Sequence, residues 1–197
     1  MAIRLISVPG KPDAVGYVGV TPSSIEGLKG GPYASRARWQ GLPVLSYDGR
    51  RPLVNGAPVD TDEAFRADML DAIEQAAQRV LGAEWIGHLA MITGLTPRSC
   101  QRDRIGKSGL PAPVLQLLAR SCAHPMPRAL GFTMLAVAHS WRDATADDDP
   151  SESQGRMSAS AREELGQHLR QVVGVALDQV DDIRAAVHAF RSGDTRS

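Results

Sequence analysis

The sequence lacks the features that mark membrane, disulfide-rich and zinc-binding proteins. Among its 197 residues no apolar run approaches the length needed to cross a bilayer, and no charged-then-apolar segment opens the chain. Two cysteines, Cys100 and Cys122, are too few for a structural zinc site, and the five histidines lack ligand spacing. We therefore expect a cytoplasmic protein that binds no metal and whose two thiols act as small apolar residues.

The chain also lacks a net charge, with 22 Lys and Arg residues against 22 Asp and Glu residues. No Ser/His/Asp grouping and no paired-carboxylate spacing stands out, so the sequence predicts neither an enzyme nor a cofactor. The charges are unevenly distributed, however. Residues 94–128 hold six basic residues and one acid, whereas residues 53–93 hold seven acids and two arginines. A local basic face is what phosphate neutralisation requires.

That basic segment follows a pattern typical of two short helices joined by a tight turn. Ala90 supplies a small residue where the first helix, predicted over Glu84–Thr93, approaches the second. Gly94 follows four residues later and can adopt the positive φ that ends a helix and turns the chain. Leu95 fills the angle between the helices, Thr96 can cap the second helix, and Pro97 suits its first turn.

Residues 89–118 resemble the DNA-binding core of the lambda-repressor and Cro-like helix-turn-helix family; their sequence is LAMITGLTPRSCQRDRIGKSGLPAPVLQLL. The resemblance covers about 40 residues, 84–123, and implies a DNA-reading helix over residues 97–105. The matching positions are Leu89-Ala90, Gly94, Arg98 with Arg102, Gly106 and Pro113-Val114. Asp103 departs from the tryptophan or aliphatic residue that is usual in the family, and Ile105 is expected to replace it as the anchor to the core.

The chemistry of the side chains divides the roles on that helix. Arg98 and Arg102, placed one turn apart on its exposed face, can each present a planar fork to a guanine edge, and Gln101 can pair with adenine. Leu89 and Cys100 point inward. The remaining polar residues suit phosphate contacts that fix register, and they are Thr96, Ser99, Arg104, Lys107 and Ser108.

Residues 1–58 predict a small, loop-rich β element. Short β-like runs occur over residues 3–8, 15–20, 44–47 and 53–54, and Asp48-Gly49 indicates a hairpin. Glycines and prolines between Pro22 and Pro43 predict partial disorder. Two interpretations of this element are possible: a loop region packed against the helices, which we favour, or an accessory arm on DNA. The arm would use Arg36, Arg38, Arg50 and Arg51 near Trp39 and Tyr47.

Residues 60–141 predict a helical domain that contains the two-helix motif. Asp60 with Glu63 fits a capping box, and apolar residues then recur at helical spacing to Leu81, namely Phe65, Met69, Ile73, Ala76 and Val80. A short buried helix is expected around Val114, Leu115, Leu117 and Leu118. Another is expected over Arg128–Trp141, with Phe132, Met134, Leu135 and Val137 in the core.

An acidic linker, residues 144–157, precedes a long amphipathic helix over residues 158–192. Ser160 with Glu163 predicts its capping box. Its apolar stripe repeats every three or four residues, at Leu165, Leu169, Val172, Ala176, Val180, Ile183, Val187 and Phe190. Such a stripe either packs back on the first helices or pairs with a second copy, and we favour a homodimer because helix-turn-helix proteins commonly bind two half-sites.

The sequence as a whole predicts a mainly α protein: a helix-turn-helix bundle with a small β N-terminal element and a long C-terminal helix. Its expected function is sequence-specific binding of double-stranded DNA as a transcriptional regulator, with no membrane partner. The alternative is a protein-interaction or assembly factor in which the helical hairpin is only scaffold. A basic face containing Arg98, Arg102 and Lys107 favours DNA, whereas pairing of these residues with the acids of 60–84 favours scaffold.

Overall fold

The structure, a computed structural model, describes residues 2–19, 41–144 and 158–192, and the chain divides into two compact units, Met1–Ala138 and His139–Ser197. In these residues the fold is mainly α with a small N-terminal antiparallel sheet, which confirms the expected class at that level. The expectations placed on residues 22–40 and 145–157, including those for Arg36, Arg38 and Trp39, lie outside the described residues.

Five antiparallel strands form a sheet in chain order: β1 (Ile3–Leu5), β2 (Ala14–Val18), β3 (Val44–Asp48), β4 (Arg51–Val54) and β5 (Ala57–Pro58). Asp48 pairs with Arg51 across a two-residue turn in which Gly49 has a φ of 59°, so the predicted hairpin is confirmed. The turn between β4 and β5 was not predicted. Asn55 and Gly56 both have positive φ there, the conformation that an Asn-Gly hairpin favours.

Helix α1 (Glu63–Leu81) carries the predicted apolar stripe, and Phe65, Met69, Ile73, Ala76 and Val80 are all buried. The predicted Asp60 cap is wrong. The carboxylate of Asp62 accepts the hydrogen bond from the Phe65 backbone N–H at 2.7 Å, because Asp62 immediately precedes the first helical residue.

One core joins the sheet to the helices. The sheet packs on α1 and on α4 (Ala112–Cys122), and the Ser7 N–H donates to the Ala119 carbonyl at 3.0 Å. Both cysteines are free and buried, and burial raises the pKa of the Cys122 thiol to about 11, which confirms their expected role as small apolar residues. The central core residues are Leu5, Val15, Leu45, Ile73, Val80, Leu89, Leu115 and Leu118.

Helix α5 (Pro127–Ala144) approaches the end of α1 closely. A Cβ atom on Gly131 would lie 2.0 Å from the Val80 carbonyl oxygen. The Arg128 guanidinium donates to the carbonyls of Gln78, at 2.9 Å, and Arg79, at 3.2 Å, and so satisfies the C-terminal end of α1.

The predicted burial of the apolar residues in α5 is only partly correct. Met134, Leu135 and Val137 are half-buried. Phe132 is 49% exposed, because it lies about 100° around the helix from Gly131, the residue at the close contact. Its ring makes an edge contact with His88, with the centroids 6.4 Å apart.

Helix α6 (Ala159–Ser192) spans 34 residues and ends close to the predicted position. The predicted Ser160 cap is wrong, because the Ser158 hydroxyl accepts from the Ala161 N–H at 3.2 Å. None of the helices in the described residues is both long and apolar enough to cross a bilayer.

Candidate nucleic-acid interface

The turn of the two-helix motif has the predicted geometry. Helix α2 (Trp85–Thr93) buries Leu89 and Ala90 and ends at Gly94, whose φ of 71° is in the left-handed region. The Thr96 hydroxyl then accepts from the Ser99 N–H at 3.2 Å, and Pro97 opens the following helical turn. The predicted turn glycine, cap and first-turn proline are thus confirmed.

The expected continuous helix over residues 97–105 is wrong. The chain forms a 3₁₀ helix, Pro97–Cys100, then becomes extended at Gln101 with ψ of 145°, and then forms α3, Arg102–Ser108. In a continuous α-helix, the residues beneath Cys100 would be Asp103 and Arg104, and both would face the core.

The interruption at Gln101 avoids burying those charges. It allows Cys100 and Ile105 both to be buried, although five residues on one α-helix would point them about 140° apart. Ile105 is therefore the anchor that was expected to replace an apolar residue at position 103, and Asp103 remains exposed.

The interruption also separates the two arginines that were predicted to contact bases. Arg98 lies on the 3₁₀ helix and Arg102 begins α3, so the two are not one turn apart on a common helix. The Arg102 guanidinium lies 2.9 Å from the carboxylate of Glu74, whose side chain is only 19% exposed. The Gln78 amide donates to the same carboxylate oxygen at 3.2 Å. Arg102 is thus held toward α1.

All eight predicted site residues are exposed, but the structure brings only half of them together. Four line a cleft of about 590 Å³ between the β3–β4 hairpin, the start of α1 and α3, and they are Ser99, Arg104, Lys107 and Ser108. The other four lie outside this cleft, and they are Thr96, Arg98, Gln101 and Arg102.

Two further cations line the same cleft. Arg50 comes from the β3–β4 turn and Arg66 from the first turns of α1, and no acidic side chain is among the described lining residues. Phe65, Met69 and Ile105 contribute apolar surface. We refer to Arg50, Arg66, Arg104 and Lys107 as the basic cleft.

Hydroxyl groups complete the lining of the basic cleft. They belong to Tyr47, Thr61, Ser99 and Ser108. Burial raises the pKa of Tyr47 to about 12, so its phenol remains a neutral hydrogen-bond donor at physiological pH. Neutral donors beside cations suit an anionic ligand with several oxygen acceptors.

Arg50 had a weak signal in the sequence, and Arg66 had none. Arg50 follows the Asp48-Gly49 turn and belongs to the alternative interpretation of residues 1–58 as an accessory arm. Arg66 lies in the acid-rich segment, where its charge is outnumbered, and only the fold places it opposite α3.

Residues 94–128 contain six basic residues, but fewer than six of these side chains are free to form a basic face. Arg128 donates to backbone carbonyls of α1, and Arg102 pairs with Glu74. Within the described residues, Arg98, Arg104 and Lys107 have no acidic partner. No group of His, Cys, Asp and Glu among those residues is placed to hold a metal ion.

Comparisons with protein-family models, with curated proteins and with solved structures found no match.

Proposed function

We propose that this protein is a transcriptional regulator that binds double-stranded DNA in a sequence-specific manner. The observation that carries the proposal is the basic cleft. Four cations from the hairpin, α1 and α3 line one cleft whose described lining holds no acid. Cations gathered in this way repel one another, and a polyanion with regularly spaced phosphates relieves that repulsion while releasing its counterions.

The adjacent turn supports a helix-turn-helix interpretation of residues 84–123. A buried Leu89-Ala90 pair, a left-handed Gly94 and a capped segment after it match the arrangement that such motifs use. The departure is α3, which has seven residues and starts at Arg102. In our proposal the 3₁₀ helix and the start of α3 face the major groove, and the basic cleft contacts the flanking backbone.

This arrangement changes the roles of individual residues. Arg98 and Gln101 are exposed and are proposed to contact bases. Arg102 is proposed to position α3 through its ion pair with Glu74. Phosphate contacts are assigned to Thr96, Ser99, Arg104, Lys107 and Ser108, together with Arg50 and Arg66.

The Arg102–Glu74 pair also favours a second candidate function. Arg102 is held by Glu74, an acid of residues 60–84. Such pairing is expected if the helical hairpin is scaffold in a protein-interaction or assembly factor. In that case the substitution Arg102→Ala lowers thermal stability, and no variant in the basic cleft changes binding to DNA.

The experiment is selection of bound sequences from a random duplex pool with the 197-residue chain, followed by fluorescence anisotropy on the selected duplex at several salt concentrations. Arg98→Ala should weaken binding to that duplex by about 1–3 kcal/mol and relax the preference at one base pair. Lys107→Ala should weaken binding to all sequences alike and reduce the slope of log affinity against log salt by about 1.

Lys11→Ala is the matched control, because it removes one positive charge from a different pocket, beside Asn55 and Gly56. It should leave both the preference and the salt slope near the wild-type values. A pool without enriched sequences would reject sequence-specific DNA binding. If a duplex is selected but the Arg98 and Lys107 variants bind it as the Lys11 variant does, the proposed interface is rejected in favour of the scaffold function.

A further inference from the structure

The apolar stripe of α6 has an 11-residue repeat. Leu165, Leu169 and Val172 recur as Ala176, Val180 and Ile183, with the same spacing of four and three residues and with four residues between the sets. Eleven residues make three turns of about 3.67 residues, close to the 3.6 of a straight α-helix. The stripe therefore drifts by only about 20° per repeat and stays on one face of the helix.

Between residues 172 and 183 of α6 the large apolar residues of this face are exposed. Val172, Val180 and Ile183 are 48%, 47% and 59% exposed, and Leu165 and Leu169 are half-buried. Three more large apolar residues broaden the stripe, and Val173, Val175 and Leu177 are all exposed. A contiguous apolar surface of this length marks an interaction site.

Opposite charges lie on the two flanks of the stripe. At about 100° per residue, Arg162 and Arg184 lie about 40° and 80° to one side of Ala176, at the centre of the stripe, and Glu164 and Asp182 lie about 120° to the other side. All four are exposed, and none has an ion-pair partner among the described residues. The members of each pair are two residues apart, about 3 Å along the axis, and the acid follows the arginine in the first pair and precedes it in the second.

The placement of these charges distinguishes between two ways of pairing α6 with a copy of itself. When two identical helices pack in parallel along one stripe, the left flank of each faces the right flank of the other, and so the basic flank meets the acidic flank. In an antiparallel pair like flanks meet. A pair centred on Ala176 would then bring Arg184 of one copy near Arg170 of the other.

We propose that α6 forms a parallel, in-register pair with α6 of a second copy of this chain. Apolar burial along the 11-residue repeat drives the pairing, and charge sets its direction. Arg162 of each copy faces Glu164 of the other, and Arg184 faces Asp182 in the same way. The proposal does not depend on DNA binding.

Disulfide trapping in the 197-residue chain tests the orientation. Leu169→Cys and Ile183→Cys place new thiols on the stripe, separated by 14 residues or about 21 Å along the helix. A disulfide requires Cα atoms within about 7 Å. In a parallel pair each variant should therefore form a disulfide-linked dimer with itself under oxidation. A mixture of the two variants should form no disulfide between position 169 of one copy and position 183 of the other.

In the antiparallel pair positions 169 and 183 face each other, so only the mixture would cross-link, and that result would overturn the parallel arrangement. The wild-type chain is the control, because Cys100 and Cys122 are buried and should form no intermolecular disulfide.

Analytical ultracentrifugation tests the pairing itself without new cysteines. The wild-type chain should sediment as two copies of 21.1 kDa, and Ile183→Glu should sediment as one. Gln167→Glu, which adds the same charge on the opposite face of α6, should remain dimeric. A wild-type monomer at all concentrations, or an assembly of more than two copies, would overturn the proposal.

A charge exchange tests the proposed ion pairs. Arg184→Asp alone and Asp182→Arg alone each place like charges across the pair and should weaken self-association about tenfold. A mixture of the two variants restores opposite charges at both contacts and should form a mixed dimer in preference to either homodimer. Equal association of all three combinations would contradict the assigned register.

Discussion

Two glycines, Gly87 in α2 and Gly131 in α5, lie within helices but have opposite structural roles. Gly131 in α5 lies where the backbone of α1 approaches, and a Cβ there would be 2.0 Å from the Val80 carbonyl oxygen. Gly87 in α2 has no such neighbour, since a Cβ at that position would meet nothing within 4 Å. At Gly131 the missing side chain permits packing, whereas at Gly87 it only increases the entropy of the unfolded chain.

The same substitution should therefore have opposite effects at these two positions. Gly131→Ala should lower the free energy of unfolding by about 1–3 kcal/mol, because the obstructing atoms belong to the backbone and α5 must shift. Gly87→Ala should raise it by about 0.5–1 kcal/mol through helix propensity. Urea unfolding of both variants would measure the changes, and similar stabilities would contradict the close contact of α5 with α1.

At the residue scale, periodicity predicted burial better than it predicted partners. Leu89, Cys100 and Ile105 were expected to face inward and are buried. The contact of Arg102 with Glu74 joins residues 28 positions apart and depends on how α1 and α3 cross. No local pattern encodes that crossing.

At the scale of the element, the turn after α2 depends on the backbone conformation of Gly94. Its φ of 71° is in the left-handed region, and a Cβ would meet nothing within 4 Å. The cost of a side chain at this position is therefore conformational strain rather than steric crowding.

Three substitutions at Gly94 should form a graded series. Asn tolerates the left-handed region best, Ala should lower the free energy of unfolding by about 1 kcal/mol, and the β-branched Val should lower it further. Thermal melts followed by circular dichroism would rank the three variants. If Gly94→Val melts at the wild-type temperature, residue 94 does not need a positive φ and the turn is assigned incorrectly.

Long helices were predicted from the sequence more accurately than short ones. Helix α1 has 19 residues, and its stripe repeats often enough to predict it to within a few residues. Helix α3 has seven residues, fewer than two apolar repeats, so the pattern did not reveal the break at Gln101. Asp103 was the local signal, because a continuous helix would have turned it toward the core.

At the scale of the whole molecule, the favoured packing of residues 1–58 against the helices is confirmed within the described residues, but the sequence did not predict which helices they contact. Four of the five strands correspond to predicted short apolar runs, and β5 was not predicted. The packing of the sheet on α1 and α4 joins residues far apart in the chain. That packing brings the tip of the β3–β4 hairpin, with Arg50, beside α3. The hairpin thus contributes to the basic cleft as well as packing on the helices.

The two proposals together predict how oligomeric state controls DNA binding. If α6 joins two copies, the second DNA-binding unit meets its half-site at an effective concentration near the millimolar range, which raises affinity for two half-sites by about 10²–10⁴. Ile183→Glu should remove this gain because it places a charge in the apolar stripe. It should leave the contacts of residues 96–108 with each half-site unchanged.

Anisotropy with duplexes that carry one or two selected half-sites measures both effects. The Ile183→Glu variant should bind the single half-site as the wild type does and lose most of the advantage on the double site, whereas Gln167→Glu should retain it. Equal losses on both duplexes would indicate that the substitution damages the DNA-binding unit itself. An undiminished preference for the double site in a monomeric variant would show that the two half-sites are bound without α6, and the dimer contact would then lie in another part of the chain.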